Sequence, residues 1–124
     1  IVEMQSHSSR KVSSYSRGMM QRICLGQALI NDPELLILDE PTGGMDPFGR
    51  MSIREIISNC KKEGKTVFFS SHELSEVEMV CDHIAILSGG KIKTEGKASE
   101  LVKQGESLEK FFVRTLERDR TEKK

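Results

Sequence analysis

Short, mostly apolar runs occur at three places along the chain and alternate with segments of helical periodicity. The runs cover residues 35–38, 66–69 and 84–87, and polar residues follow each of them. Apolar runs of this length are typical of strands that are buried on both faces of a parallel sheet. The pattern therefore predicts three buried strands.

Two longer segments show helical spacing. The first starts at Met20 and stops at residues 31–33, Asn-Asp-Pro. Its recurring positions are Met20, Ile23, Cys24, Gln27 and Ile30. The second starts at Asp46-Pro47, where a carboxylate caps free N–H groups and proline suits the first turn, and it ends at Gly64. Its inward positions are Ile53, Ile56, Ile57 and Cys60.

The remaining elements are short. Residues 73–80 predict an amphipathic helix, and residues 97–103 predict another. Gly89-Gly90 predicts a tight turn into a hairpin strand over residues 91–95. The serine-rich residues 6–16 predict a loop, and the highly charged residues 114–124 predict a solvated or frayed tail.

The order strand, helix, strand, helix, strand indicates right-handed parallel crossovers. We therefore expect residues 35–95 to form part of an α/β fold, with a largely parallel sheet flanked by helices and a terminal hairpin.

Composition excludes some classes of protein. The 124 residues carry 19 basic and 19 acidic side chains, and this balance argues against wholesale electrostatic binding to nucleic acid. No apolar run approaches the roughly 20 residues of a membrane-spanning helix, and no signal peptide is expected. The three cysteines form no CxxC pair, which predicts reduced thiols packed in the core. A first residue other than Met suggests a fragment.

Two adjacent carboxylates, Asp39 and Glu40, follow the first apolar run. In open α/β sheets, ligands bind at the carboxyl ends of the strands. Successive strand residues point in opposite directions, so one carboxylate could hold a metal while the other faces a water. The alternative is an exposed acidic turn.

Two other segments bear on chemistry. Ser16 can cap the first helix, and Gly18 permits close backbone approach, so that this helix N-terminus could face an anion. His72 follows the second strand and could donate a hydrogen bond into the same crevice. The alternative for the helix N-terminus is a simply capped helix, and the alternative for His72 is a structural histidine. For His7 and His83 only a structural role is expected. Zinc is not predicted.

Together these segments resemble the nucleotide-binding domain of the ATP-binding cassette (ABC) family, over residues 15–96. Residues 15–19, YSRGM, resemble its signature loop LSGGQ, in the form typical of export-type transporters. The other matches are Gln21-Arg22 just after the signature, residues 35–40 with the Walker B strand, residues 43–46 with the D-loop, His72 with the switch histidine, and the hairpin at residues 89–96.

The resemblance implies roles for these residues. Asp39 would hold Mg²⁺ through water, Glu40 would act as general base or orient the attacking water, and His72 would contact the γ-phosphate of ATP. Residues of the signature and D-loop would contact nucleotide bound by a second ATPase domain in a head-to-tail dimer, with Asp46 linking the two sites. These residues are Ser16, Arg17, Gly18 and Asp46.

The phosphate cradle of the family, GxxxxGK[ST], has no match in the sequence. Residues 44–51 have the glycine spacing, but Asp46 would repel phosphate, Pro47 lacks an N–H, and Arg50 replaces the lysine. No glutamine-bearing loop is evident either. We therefore expect that the chain alone neither binds ATP tightly nor hydrolyses it. Tyr15, Arg17 and Met19 also depart from the usual signature.

These features predict the C-terminal part of an ABC transporter ATPase subunit. It would lie in the cytoplasm on a transmembrane permease and couple ATP hydrolysis to transport, with export favoured. The expected parts are residues 1–33 from a helical subdomain, 34–96 from the α/β core, and 97–124 as a helical extension with a charged tail. The alternatives are a soluble ABC ATPase of DNA repair or translation, and a non-catalytic remnant that acts as an interaction module.

Overall fold

The computed structural model describes residues 2–122, which group into two compact units with a boundary after His72. The first unit contains two single-turn 3₁₀ helices in the serine-rich segment, Gln5–His7 and Val12–Ser14. Its main elements are α1 (Arg17–Leu29), β1 (Leu35–Asp39), α2 (Pro47–Lys62) and β2 (Thr66–Ser70). The second unit contains α3 (Leu74–Val80), β3 (His83–Ser88), β4 (Lys91–Lys97), α4 (Ala98–Leu101) and α5 (Leu108–Glu122).

The strands β1 and β2 pair in parallel, as the crossover pattern predicts. Leu35 lies opposite Thr66, and the register continues without a shift to Asp39 opposite Ser70. The connecting helix α2 begins at its predicted cap, because the side chain of Asp46 accepts a hydrogen bond from the Gly49 N–H. It ends two residues before Gly64, whose φ of +82° suits a residue without a side chain.

The core of the first unit lies between the helices and one face of this strand pair. All four predicted inward residues of α2 are buried, and Ile53 is completely inaccessible. The buried cluster comprises Leu25, Leu36, Met45, Ile53, Ile56, Ile57 and Cys60. Apolar burial of this kind supplies the main driving force for folding.

The other face of the pair is open, so the predicted burial on both faces is wrong in the described part of the chain. Leu35, Ile37 and Phe68 are 52%, 72% and 65% exposed. The pleat sends alternate residues to opposite sides, and α2 with part of α1 covers the side of Leu36 only.

The positions of α1 that recur at helical spacing are not the ones that it buries. Leu25 is buried and Leu29 packs against the core, whereas Cys24 and Ile30 are exposed. The helix is apolar around most of its circumference, so periodicity alone does not select one face.

Among the cysteines, only Cys60 is buried, and burial raises the pKa of its thiol.

The second unit is built on the predicted hairpin. The strands β3 and β4 pair in antiparallel through Gly89 and Gly90, whose φ values of +57° and +71° suit a two-residue hairpin turn. Ile84 and Ile86 on one face of β3 contact Leu108 and Phe111 of α5.

The prediction that β3 continues the parallel sheet is wrong for the described residues. β3 pairs with β4 in a sheet of its own, and its side chains alternate between buried and exposed. The tight turn makes pairing with the next strand along the chain a local event, which costs little chain entropy.

No helix in residues 2–122 has both the length and the apolar character to cross a bilayer.

The charged C-terminal segment, for which the sequence predicts a solvated or frayed tail, is helical through Glu122 and so not frayed as far as the structure describes it, while Glu117 and Arg118 are exposed to solvent. Arg114 donates hydrogen bonds of 3.1 and 2.9 Å to the two carboxylate oxygens of Glu106, and its guanidinium lies 5.3 Å from the ring centroid of Phe111. Of the charged residues of this helix whose side chains the structure describes, Glu109, Lys110, Glu117 and Arg118 are exposed, and the opposite side carries Leu108, Phe111 and Leu116.

Ile53→Ala tests the core of the first unit. Because Ile53 is fully enclosed, we expect the free energy of unfolding to fall by about 2–5 kcal/mol, as measured by urea denaturation. Met51→Ala, on the exposed side of the same helix, should cost less than about 1 kcal/mol. Equal losses in the two variants would contradict this packing.

Glu106→Gln tests the ion pair of the second unit. Two hydrogen bonds from Arg114 are the main reason why the pKa of the Glu106 carboxyl lies below its ordinary value, and a hydrogen bond from the Lys103 N–H adds to the effect. A lowered folded-state pKa stabilises the fold above the unfolded-state pKa of about 4.3, and this contribution disappears as the pH falls through the folded-state value. The free energy of unfolding at pH 7 should therefore be larger for wild type than for Glu106→Gln. This difference in free energy should become smaller as the pH is lowered. In an Arg114→Ala background the narrowing should be much smaller.

Candidate functional site

The candidate site lies at the carboxyl ends of β1 and β2. The unshifted parallel register places Asp39 directly opposite Ser70, on the exposed face that also carries Ile37 and Phe68. This face is apolar along the strands and becomes polar at their ends. The polar groups that follow the two strands are therefore brought to one edge.

Ser70 contacts both neighbouring acidic residues. Its hydroxyl donates a hydrogen bond to the Asp39 carboxylate. The Glu40 N–H lies 3.1 Å from Ser70 Oγ and 3.2 Å from the Ser70 carbonyl oxygen, and both oxygens accept from it. Ser70 is not among the residues that the sequence pattern selects. The signal for it is that both apolar runs end at a polar residue, Asp39 and Ser70, and that the ends of neighbouring parallel strands lie at the same level.

Glu40 has an unusual backbone conformation. Its φ is +46°, in the left-handed region that side-chain-bearing residues seldom adopt. Its carbonyl oxygen accepts a hydrogen bond of 3.0 Å from the Gly43 N–H, which closes a tight turn directly after the strand. Such strain costs about 1–3 kcal/mol and persists where the surroundings hold it, often at functional sites.

The turn places the Glu40 carboxylate beside His72. Glu40 Oε1 lies 2.8 Å from His72 Nδ1. Glu40 Oε2 is buried and accepts no hydrogen bond from the described residues. The first contact assigns the Nδ1–H to the carboxylate, so that the imidazole can donate from Nε2 only when it is protonated. Glu40 thus uses one carboxylate oxygen for His72, and its other oxygen is enclosed without a hydrogen bond from the described residues.

The signature-like segment lies against the turn that follows β1. The side chain of Ser16 accepts a hydrogen bond of 3.2 Å from the Met19 N–H and so caps α1, as predicted. A Cβ built on Gly44, which has φ +68°, would lie 2.7 Å from Arg17 Nη1. A Cβ on Gly18 would lie 3.4 Å from Met45 Cε. The guanidinium of Arg17 therefore lies close against Gly44, and a side chain at residue 44 would have to displace it.

Asp46 is the N-cap of α2. Its Oδ1 accepts a hydrogen bond of 2.7 Å from the Gly49 N–H, and the neighbouring Met45 carbonyl oxygen accepts one of 3.0 Å from Arg50 Nε. These contacts define the shape of the loop between β1 and α2. The link to a second site that the resemblance implies for Asp46 stays a prediction.

The structure thus brings Asp39, Glu40 and His72 to one edge through Ser70, and it places Ser16 and Asp46 at two helix N-termini. Among the described residues, no cluster of three or more His, Cys, Asp or Glu side chains could hold a metal. Mg²⁺ needs no such cluster, because it is usually bound by one or two carboxylates together with water and phosphate. The Asp39 carboxylate, exposed at the end of β1, is a ligand of the kind that this ion prefers.

Comparison with known proteins shows consistent similarity. The family model described as ABC transporter matches residues 2–43. The chain is 56% identical over 93 residues to an uncharacterized ABC transporter ATP-binding protein of Nostoc sp., covering 75% of this chain and 28% of that protein. It is 40% identical over 99 residues to Nod factor export ATP-binding protein I of Rhizobium etli, covering 80% and 31%.

A solved ATP-binding subunit of an ABC transporter superposes on the chain with a TM-score of 0.74 and 30% identity, over 84% of this chain and 45% of that one. The chain spans less than half the length of the curated relatives it matches.

Substitutions at Glu40 separate backbone strain from side-chain chemistry. Glu40→Gly and Glu40→Ala both remove the carboxylate, but only glycine adopts φ +46° without strain. We expect the glycine variant to be more stable than the alanine variant by about 1 kcal/mol in urea denaturation. At Glu55, inside α2, the order should reverse, with glycine less stable by about 1 kcal/mol. If alanine were more stable than glycine at residue 40 as well as at residue 55, the backbone of Glu40 would not be strained.

Proposed function

Because the chain belongs to the ABC transporter family, we propose that it forms part of an ATP-binding subunit that couples ATP hydrolysis to transport across a membrane. The observation that carries this proposal is the 2.8 Å contact between Glu40 and His72, with the second carboxylate oxygen of Glu40 buried and without a donor. This pair lies next to Asp39 at the end of a parallel strand, where α/β proteins bind their ligands.

Glu40 acts on the attacking water. Its carboxylate orients that water and, as general base, takes its proton, while the water oxygen bonds to the γ-phosphorus and the bond from the γ-phosphorus to the β–γ bridging oxygen breaks, so that ADP leaves. The hydrogen bond from His72 holds the other carboxylate oxygen in place. General-base catalysis contributes about 10²–10⁴-fold to a rate.

Asp39 and His72 complete this half of the site. Asp39 would hold Mg²⁺ through water, and the ion, when bound, neutralises charge on the phosphates. His72 would lie against the γ-phosphate, held in place by the contact of its Nδ1 with Glu40. Phosphoryl transfer needs mainly positioning and charge stabilisation, which these side chains are suited to supply.

The N-terminus of α1 serves a second nucleotide. It presents backbone N–H groups and partial positive charge, with Arg17 adding a full charge and Ser16 and Gly18 permitting close approach. We assign it to the γ-phosphate of ATP bound by a second ATPase domain, arranged head to tail. Asp46 lies between the two sites in this arrangement.

The phosphate cradle comes from outside these 124 residues, since no segment here matches it. We place the subunit on the cytoplasmic face of a membrane, bound to a permease. Export is the direction we favour, because the signature has the export-type form and one relative is named for Nod factor export. The three-part division at residues 33/34 and 96/97 stays part of this proposal.

Glu40→Gln tests the role of Glu40. We would replace the matching segment of the Nostoc ABC transporter ATP-binding protein with this chain, so that the chain is tested within a longer ATP-binding protein. The variant should bind ATP as tightly as the parent chimera but release phosphate about 10²–10⁴-fold more slowly. Glu55→Gln, on the exposed side of α2, is the matched control and should leave both measurements unchanged.

Two outcomes would contradict the proposal. Unchanged phosphate release by Glu40→Gln would remove Glu40 from the chemistry. Rapid turnover by the isolated 124-residue chain, lost in Glu40→Gln, would show that the cradle is not needed.

A further inference from the structure

We infer that Ser70 is a positioning residue that sets the orientation of both acidic side chains at the candidate site. It touches no substrate in the proposed mechanism and acts through Asp39 and Glu40. For Asp39 the contact is direct, because the Ser70 hydroxyl donates to its carboxylate. The relevance of this inference to ATP hydrolysis rests on the proposed function.

For Glu40 the contact is made through the backbone. The Glu40 N–H is shared between Ser70 Oγ at 3.1 Å and the Ser70 carbonyl oxygen at 3.2 Å. Two acceptors on one residue hold this N–H toward β2, although φ at Glu40 is +46°. The contact therefore stabilises the strained conformation that turns the Glu40 carboxylate toward His72.

A single hydroxyl carries both tasks. As a donor it faces Asp39, and as an acceptor it receives the Glu40 N–H, so that the two functions of one Oγ are used together. The parallel register makes this possible, because Ser70 lies directly opposite Asp39 and one residue short of Glu40. Alanine at this position would leave the strand intact and remove the two contacts that Oγ makes. The carbonyl oxygen of residue 70 would still accept from the Glu40 N–H.

Three variants of the 124-residue chain test the inference. Ser70→Ala removes the hydroxyl, Ser70→Thr keeps it on a side chain that suits a strand, and Thr66→Val removes a hydroxyl from the same face of β2 at its other end. The first readout is the amide hydrogen exchange of Glu40, measured against amides of α2. The second is the selective broadening of the Asp39 and Glu40 amide signals by Mn²⁺, used alone as a paramagnetic stand-in for Mg²⁺.

In Ser70→Ala we expect the Glu40 amide to exchange about tenfold faster relative to the α2 amides, since it loses one acceptor and the strained turn loosens. The Mn²⁺ concentration for half-maximal broadening should rise several-fold. Ser70→Thr and Thr66→Val should both behave like wild type. A global loss of stability would accelerate the Glu40 and α2 amides alike, so the ratio separates positioning from a merely structural role.

Unchanged relative exchange at Glu40 in Ser70→Ala would overturn the inference, and so would a Ser70→Thr variant that behaves like Ser70→Ala. If the exchange changes as expected but Mn²⁺ does not broaden Asp39 selectively even in wild type, the positioning role stands and the proposed cation role of Asp39 fails. The two proposals can therefore fail separately.

Discussion

The parallel pairing of β1 with β2 is the constraint on which the candidate site depends. Its register aligns the last residues of the two strands, Asp39 and Ser70, so that the groups that follow each strand meet at one edge. A shift by one residue would move Ser70 to the opposite face and remove its contact with Asp39. The helix α2 holds this register, because its buried face packs against Leu36 and Val67.

The orientation of the Glu40 carboxylate depends on a strained backbone conformation and not on strand geometry. In a regular strand, Asp39 and Glu40 would point to opposite faces of the sheet. The left-handed conformation of Glu40 ends the strand abruptly and places its carboxylate within hydrogen-bond distance of His72. The site therefore combines one carboxylate in strand geometry with one in turn geometry, and Ser70 contacts both residues.

Two N-caps fix where the helices before and after β1 begin. Ser16 and Asp46 each accept a hydrogen bond from a backbone N–H three residues later, so α1 and α2 start at defined positions. Arg17 stands where the family signature has glycine, and its guanidinium lies close against Gly44. The cap at Ser16 forms with this arginine in place.

Local chemistry in the sequence was sufficient for much of this structure. The caps at Ser16 and Asp46, the inward face of α2 and the Gly89-Gly90 turn each depend on residues a few positions apart, whose spacing directly encodes the contact. The resemblance of residues 15–96 to the ABC family likewise rests on short motifs, and the family assignment followed from them.

Only the tertiary structure decided which faces are covered and which distant groups meet. Apolar runs predict strands but do not show how many layers pack on them, so the open face at Leu35, Ile37 and Phe68 and the separate sheet of β3 were not foreseen. Ser70 was missed for the same reason: its partners are about 30 residues away, and its hydroxyl acquires a role only through the register that brings two strand ends together. Burial and register are properties of the packed chain as a whole, and short-range periodicity does not specify them.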